Sequence, residues 1–259
     1  MRRLVRSAQL IDQMIEERRN INMHVQVISS VNESCSAKFH HKTAIVIDVL
    51  RATSTIVTAL SAGAKCVVPA ETVMDARAMQ LPGDVLGGER FCRKIAGFDL
   101  GNSPNEYTQQ TVGGRKVILT TTNGTRGIHK SMRADHIIVA SLLNADACAR
   151  SALELRRDIV ILCAGSHDDF AIEDGLCAGL ILDCLKKQSG IPIDVDDFGH
   201  AMHSLYRDRS EIVFETLLNS QSGKRLQKIG SRGDIESCAS INTLNLVPYL
   251  SGDQLIIRH

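Results

Sequence analysis

The chain has 259 residues, 44% of them hydrophobic and 23% charged, with a formal net charge of +1. A chain of this length buries a substantial core without disulfides or a structural metal. Near-neutrality offers no global field for nucleic acid or an anionic membrane, and nine aromatic residues without tryptophan leave few platforms for stacking bases.

Residues 1–22 are expected to form a helical extension whose amphipathic helix covers 1–20, with Leu4, Leu10, Ile11, Met14 and Ile15 roughly on one face. The domain proper is expected over 23–259, as one unit or two intimately packed lobes, and opens with a strand at Met23. From Ala44 the pattern becomes strand (44–47), helix (53–62) and strand (66–69), and it returns as strand (116–119), helix (125–132) and strand (136–140). Thr55 and Thr125, Ala64 and Ala134, and Ala70 and Ala140 are each separated by 70 residues, the spacing of an internal duplication. Such alternation predicts a layered α/β fold with a mainly parallel sheet. Between the two units, the glycines of 86–90 and 97–106 predict a tightly folded loop. Farther on come a strand (158–163), a helix (173–187), a helix (196–218), a Gly- and Ser-containing segment (219–234) and two short closing strands near 247–249 and 255–257.

In parallel α/β sheets ligands collect at the carboxyl ends of strands. Three polar turns stand there. The first, Asp48-Val49-Leu50-Arg51-Ala52-Thr53-Ser54-Thr55, sets an acid, a guanidinium and three hydroxyls around a helix start. The carboxylate can hold Mg²⁺ or attack, and the guanidinium can take phosphate oxygens bidentately. A capped helix beside an Asp–Arg ion pair explains the same residues without a ligand. The second turn, Thr121-Thr122-Asn123-Gly124-Thr125, offers donors for an anion but lacks the lysine of a P-loop, so nucleotide hydrolysis is unsupported. The third leads from Cys163-Ala164-Gly165 to Glu173-Asp174, acids that either complement a helix dipole or turn into the crevice.

Taken with Gly87-Gly88-Glu89-Arg90 and Gly97-Phe98-Asp99-Leu100-Gly101-Asn102-Ser103-Pro104, these turns resemble, in the same order, the motif series of the 2-phosphosulfolactate phosphatase family. Ser222-Gly223, Gly230, Asp234-Ile235 and Val247-Pro248 match more loosely, and Phe91-Cys92 stands where a small residue is expected. The resemblance implies Mg²⁺-dependent hydrolysis of 2-phospho-3-sulfolactate to 3-sulfolactate and phosphate, a step toward coenzyme M. The residues expected to carry it are Asp48, Arg51, Glu89, Arg90 and Asp174 in catalysis, with Asp48, Glu89, Glu173 and Asp174 toward the metal. Thr53, Ser54, Thr55, Asn102, Ser103, Thr122, Asn123, Gly124 and Thr125 are expected to bind the substrate. A phosphatase of another 2-phospho acid, or a phospho-ligand sensor without catalysis, would use the same turns.

The eight cysteines are scattered without a CxxC pair and are expected to be reduced, with Cys66 and Cys163 packed in the core. No apolar run is long enough for a membrane span and the N-terminus lacks a signal-peptide core, so a cytoplasmic enzyme is expected. Its partner is a small anionic phosphorylated substrate, with no nucleic acid and no membrane; a homodimer is compatible with the sequence.

Overall fold

The computed structural model describes residues 22–167 and 169–258. The helix expected over 1–20 lies outside them. Strand β1 (Met23–Ile28) leads to β2 (Thr43–Ile47), helix α1 (Ala52–Ser61) and β3 (Cys66–Pro69). Helix α2 (Val73–Ala78), β4 (Val85–Arg90), β5 (Arg93–Lys94) and α3 (Gln109–Val112) follow. The second unit comprises β6 (Lys116–Thr120), α4 (Gly124–Lys130) and β7 (His136–Ala140). Next are α5 (Ala145–Glu154), β8 (Ile159–Cys163), α6 (Ile172–Gln188), β9 (Ile193–Val195) and α7 (Asp197–Arg209). Helices α8 (Val213–Asn219), α9 (Gln221–Lys228) and α10 (Arg232–Cys238) precede a hairpin of β10 (Pro248–Ser251) and β11 (Gln254–Ile257).

The strands form one mixed sheet in the order β5-β4-β6-β3-β11-β10-β7-β2-β8-β1-β9. Every pairing is parallel except those of the hairpin and of β4 with β5. Strand β2 is buried along its whole length, as a parallel strand covered on both faces must be. Its side chains alternate between two cores. Ile45 and Ile47 join Leu176 and Ile181 of α6, whereas Ala44 and Val46 join Ile56 of α1 and Ile128 of α4. No described helix is long and apolar enough to cross a membrane.

The 70-residue spacing becomes a symmetric arrangement. Strand β2 pairs with β7 of the other unit, and β3 pairs with β6. The run β6-β3-β11-β10-β7-β2 therefore keeps its pattern when the two units exchange places. The caps correspond as well: Thr53 Oγ1 accepts from Asp48 N at 2.9 Å and donates to Asp48 O at 2.8 Å, while Thr125 Oγ1 accepts from Thr121 N at 3.3 Å and donates to Thr121 O at 3.0 Å. Hydrogen bonding thus matches Thr125 with Thr53 rather than with Thr55.

Three expectations need correction. The segment around Leu86-Gly87-Gly88-Glu89-Arg90 is a buried strand, β4, not a loop. Its glycines serve close packing: at Gly88, with φ +146°, a Cβ would lie 2.1 Å from Thr120 O of the neighbouring strand. The helix expected over 196–218 breaks at Ser210–Ile212, which lets α8 turn Val213 and Leu217 into the core. The segment 219–234 is largely helical, because Ser220 Oγ accepts from Gly223 N at 2.9 Å and starts α9 immediately. The two C-terminal strands do form, but their hairpin lies in the middle of the sheet between β3 and β7.

Leu255, fully buried where β11 meets β3, pins that insertion. Leu255→Ala is expected to cost about 2 to 5 kcal/mol in urea unfolding, the range for deleting a buried leucine side chain. A change below about 0.5 kcal/mol, the scale of an ordinary surface substitution, would show that the hairpin only decorates the sheet.

Candidate active site

Helix α1 begins at Ala52 and helix α4 at Gly124, each after the carboxyl end of its strand. The two first residues touch: a Cβ at Gly124 would sit 2.4 Å from Ala52 Cβ and 2.8 Å from Asp48 Oδ2. Only glycine fits there. The symmetric units thus meet at their helix starts, with the Asp48 carboxylate beside the contact. Asp48 Oδ1 accepts from Ala52 N at 3.2 Å, and Oδ2 accepts no hydrogen bond among the described residues. Burial, reinforced by Glu89 and Glu173, raises its pKa from 3.8 to about 7 against the opposing pull of the Ala52 N–H and Arg51.

Glu89 reaches the same place from β4. Its Oε1 accepts from Thr122 N at 2.8 Å and Thr122 Oγ1 at 2.9 Å, and its Oε2 accepts from Cys92 N at 2.8 Å. The carboxylate therefore ties the β4–β5 turn to the turn after β6. Phe91 and Cys92 hold that turn with φ of 55° and 62°, a left-handed pair that ordinarily favours Asn and Gly. The residues that depart from the expected small side chain are thus the ones whose backbone positions Glu89.

Arg51 is buried and its charge is matched. Its Nη1 pairs with Asp234 Oδ2 at 2.5 Å and its Nη2 donates to Cys92 O at 3.1 Å. Asp234 Oδ1 in turn accepts from Ser103 Oγ at 2.5 Å and Asn105 Nδ2 at 3.2 Å. Arg90 points elsewhere. It donates to Glu89 O, Glu71 O and Thr120 Oγ1 at 2.8, 3.3 and 3.0 Å, and lines a separate groove with Thr72 and Lys130.

Glu173 and Asp174, at the start of α6, are both buried and lie behind the cavity wall rather than on it. Asp174 accepts from Val49 N at 2.8 Å through Oδ1 and from Gly165 N at 3.0 Å through Oδ2, clamping the turns after β2 and β8 together. Burial and the neighbouring Asp48 and Glu173 hold its pKa well above the usual carboxylate range. Burial also raises Glu173, opposed by the hydroxyls of Ser222 and Ser220 and by Arg225.

These turns enclose an open cavity of about 100 Å³ lined by Asp48, Arg51, Glu89, Asn102, Thr122 and Asn123 among others. The other expected substrate-binding hydroxyls face inward. Thr53 and Thr125 cap their helices, Ser54 Oγ donates to Val49 O at 2.8 Å, Thr55 Oγ1 donates to Asn102 O at 2.9 Å, and Ser103 supports Asp234. They shape the site. Four polar residues not assigned to the site from the sequence join the wall: Ser166 and His167 after β8, and Ser222 and Arg225 of α9. Asp234, bonded to Arg51 across 183 residues of sequence, supports the wall from α10.

The cavity offers hard oxygen donors. Asp48 and Glu89 supply carboxylates, and Asn102 Oδ1 is buried without a hydrogen-bond partner. Among the described residues no three His, Cys, Asp or Glu side chains are placed to hold a metal. Mg²⁺ does not require three, since it commonly keeps several waters and takes one or two protein carboxylates. The residues present therefore fit that ion. All eight cysteines are free, and Cys66 and Cys163 are buried in the core.

Fold and cavity together define an α/β protein that presents charged and hydrogen-bonding groups at the carboxyl end of a parallel sheet. Residues 29–253 match the family model described as 2-phosphosulpholactate phosphatase. The chain is 41% identical over 217 residues to a Thermotoga maritima protein named probable 2-phosphosulfolactate phosphatase, an alignment covering 84% of this chain and 92% of the relative. A Symbiobacterium thermophilum protein of that name is 40% identical over 222 residues, covering 83% and 94% of the two chains. One from Clostridium acetobutylicum is 38% identical over 237 residues, covering 90% and 100%. The chain belongs to the 2-phosphosulpholactate phosphatase family, and is thereby a phosphoric monoester hydrolase.

Arg90, spent on neutral acceptors outside the cavity, is expected to matter for the fold. Arg90→Ala should lower Tm while kcat/KM of the folded protein stays within about threefold. A loss of about 100-fold at unchanged Tm would place the guanidinium on the substrate.

Proposed function

We propose that the protein hydrolyses 2-phospho-3-sulfolactate to 3-sulfolactate and inorganic phosphate with the aid of Mg²⁺. The observation that carries this is Asp48: a carboxylate with one free oxygen, made costly to ionise by burial and further by neighbouring acids, at the wall of a cavity that also holds Arg51. Such a site gains stability by taking a cation and an anion together.

Hydrolysis of an alkyl phosphate needs the phosphoryl charge neutralised and the reacting atoms aligned. Asp48, Glu89 and Asn102 Oδ1 would hold Mg²⁺, which supplies charge neutralisation at the phosphoryl oxygens when bound. Arg51, kept in one orientation by Asp234 and Cys92 O, presents its remaining N–H groups to the phosphoryl group as a fixed fork. The Thr122–Asn123 turn, fastened to Glu89, frames the opposite wall. Leu50, Phe91 and Leu226 line the same cavity. Placement on the route to coenzyme M follows from the substrate and rests on the family resemblance.

Chelation should abolish activity and added Mg²⁺ should restore it; full turnover after exhaustive EDTA treatment would remove the metal from the mechanism. Asp48→Asn is expected to lower kcat by about 10² to 10³-fold, the loss seen when one preorganised electrostatic group is removed. A screen of phosphorylated hydroxy acids tests the substrate, and faster turnover of another 2-phospho acid would reassign it.

The raised pKa of Asp48 also makes stability depend on pH. A carboxyl that binds its proton more tightly when folded stabilises fully below its ordinary value of 3.8, and the contribution is lost as pH rises toward about 7. In EDTA the Tm of Asp48→Asn should therefore gain on that of the native chain between about pH 4 and pH 7 and level off above, and Mg²⁺ should shrink the gap. A pH-independent gap would contradict the assignment.

A further inference from the structure

The cavity's two arginines differ in how their charges are matched. Arg51 is paired with Asp234 at 2.5 Å. Among the described residues Arg225 donates to Ser166 Oγ at 3.0 Å, and no carboxylate lies within 4 Å of its guanidinium. A half-buried guanidinium with a neutral acceptor keeps most of its donors available for a ligand, while its charge also acts on the buried Glu173.

The surroundings favour an anion at Arg225. Ser166, His167 and Ser222 line the cavity next to it, contributing hydroxyl and imidazole groups. Asp48 reaches the cavity from the turn after β2 and Glu89 from β4, whereas Arg225 comes from α9, so this guanidinium enters from a different element than the two carboxylates. Arg225 is also held from behind. Helix α9, which carries it, is capped by Ser220, whose Oγ accepts from Gly223 N at 2.9 Å and donates to Leu217 O at 2.8 Å. A ligand with one anionic group at the Asp48 region thus has a preset place for another.

We propose that Arg225, with Ser166, His167 and Ser222, forms a subsite for a second oxyanion of the substrate, one that is not transferred. In a phosphorylated acid that group is a carboxylate or a sulfonate. The subsite rests on the phosphatase reading above and adds to it the residue that selects multiply anionic esters over simple ones. Arg51 serves the phosphoryl group and Arg225 the acid.

Kinetics of the native enzyme, Arg225→Gln and Arg225→Lys test this with four esters: 2-phospho-3-sulfolactate, 2-phospholactate without the sulfonate, 2-phosphooxyethanesulfonate without the carboxylate, and ethyl phosphate without either. Arg225→Gln should raise KM for 2-phospho-3-sulfolactate by about tenfold or more with kcat within about threefold, and leave KM for ethyl phosphate unchanged. Arg225→Lys should fall between, since it keeps the charge and loses the fork. Among the two single-acid esters, the one whose KM rises names the group that Arg225 binds. Equal KM increases for ethyl phosphate would assign Arg225 to the phosphoryl group, and no increase for any ester would remove it from the site; either overturns the subsite.

A calorimetric titration with 3-sulfolactate separates this inference from the phosphatase reading. If the native protein hydrolyses none of the esters, that reading fails, yet loss of 3-sulfolactate affinity in Arg225→Gln would still support the subsite. Equal affinity in both proteins, or no binding to the native one, would overturn it.

Discussion

Two helix starts touch beside one buried carboxylate, and the site is organised around that contact. Ala52 opens α1 and Gly124 opens α4, and the pair leaves no room for a side chain at position 124. The contact follows from the sheet. Because β2 pairs with β7 and β3 with β6, each unit's crossover helix passes toward the other unit's strand, and the two helices start at a common centre. Asp48 is beside that centre because it follows β2 directly. Helix N-termini favour negative charge, and the Ala52 N–H meets Asp48 Oδ1, but burial and two further acids outweigh that help.

Around this centre the polar residues divide into those that fix the walls and those that face the cavity. Asp174 clamps the turns after β2 and β8, Asp234 holds Arg51, and Glu89 joins the β4–β5 turn to the turn after β6. Each uses a carboxylate on backbone or guanidinium donors, an arrangement whose disruption would leave a buried charge unpaired. Such clamps keep a small cavity in one shape. Preorganisation of this kind lowers the cost of ordering a site around a charged ligand.

The sequence made the scaffold legible where pattern and burial coincide. Strands β2, β3, β6, β7 and β8 are short apolar runs followed by turn residues, and each forms close to its expected bounds. Asp48, Thr122 and Asn123 could be singled out because they follow strands in a parallel sheet, and Glu89 and Asn102 because they stand in glycine-rich segments expected to fold as a tight loop; the structure brings all five to one cavity. Arg90 is adjacent to Glu89 in sequence, but successive side chains on a strand point to opposite faces, so it serves another groove. The hydroxyls of Thr53, Ser54 and Thr55 were legible as polar and buried only by the fold, which turns them onto backbone acceptors. Arg225 and Asp234 carry no local signal beyond the looser family match of their segments. They reach the site only through the packing of α9 and α10, far along the chain.

The central claim is that Asp48 sits uncompensated until a cation arrives. A carbon-detected NMR titration of the Asp48 carboxyl, assigned through Asp48→Asn, measures this directly. Without divalent metal the carboxyl should titrate near pH 7, and with saturating Mg²⁺ its midpoint should fall well below that. A midpoint near the ordinary value of 3.8 in both conditions would contradict the account.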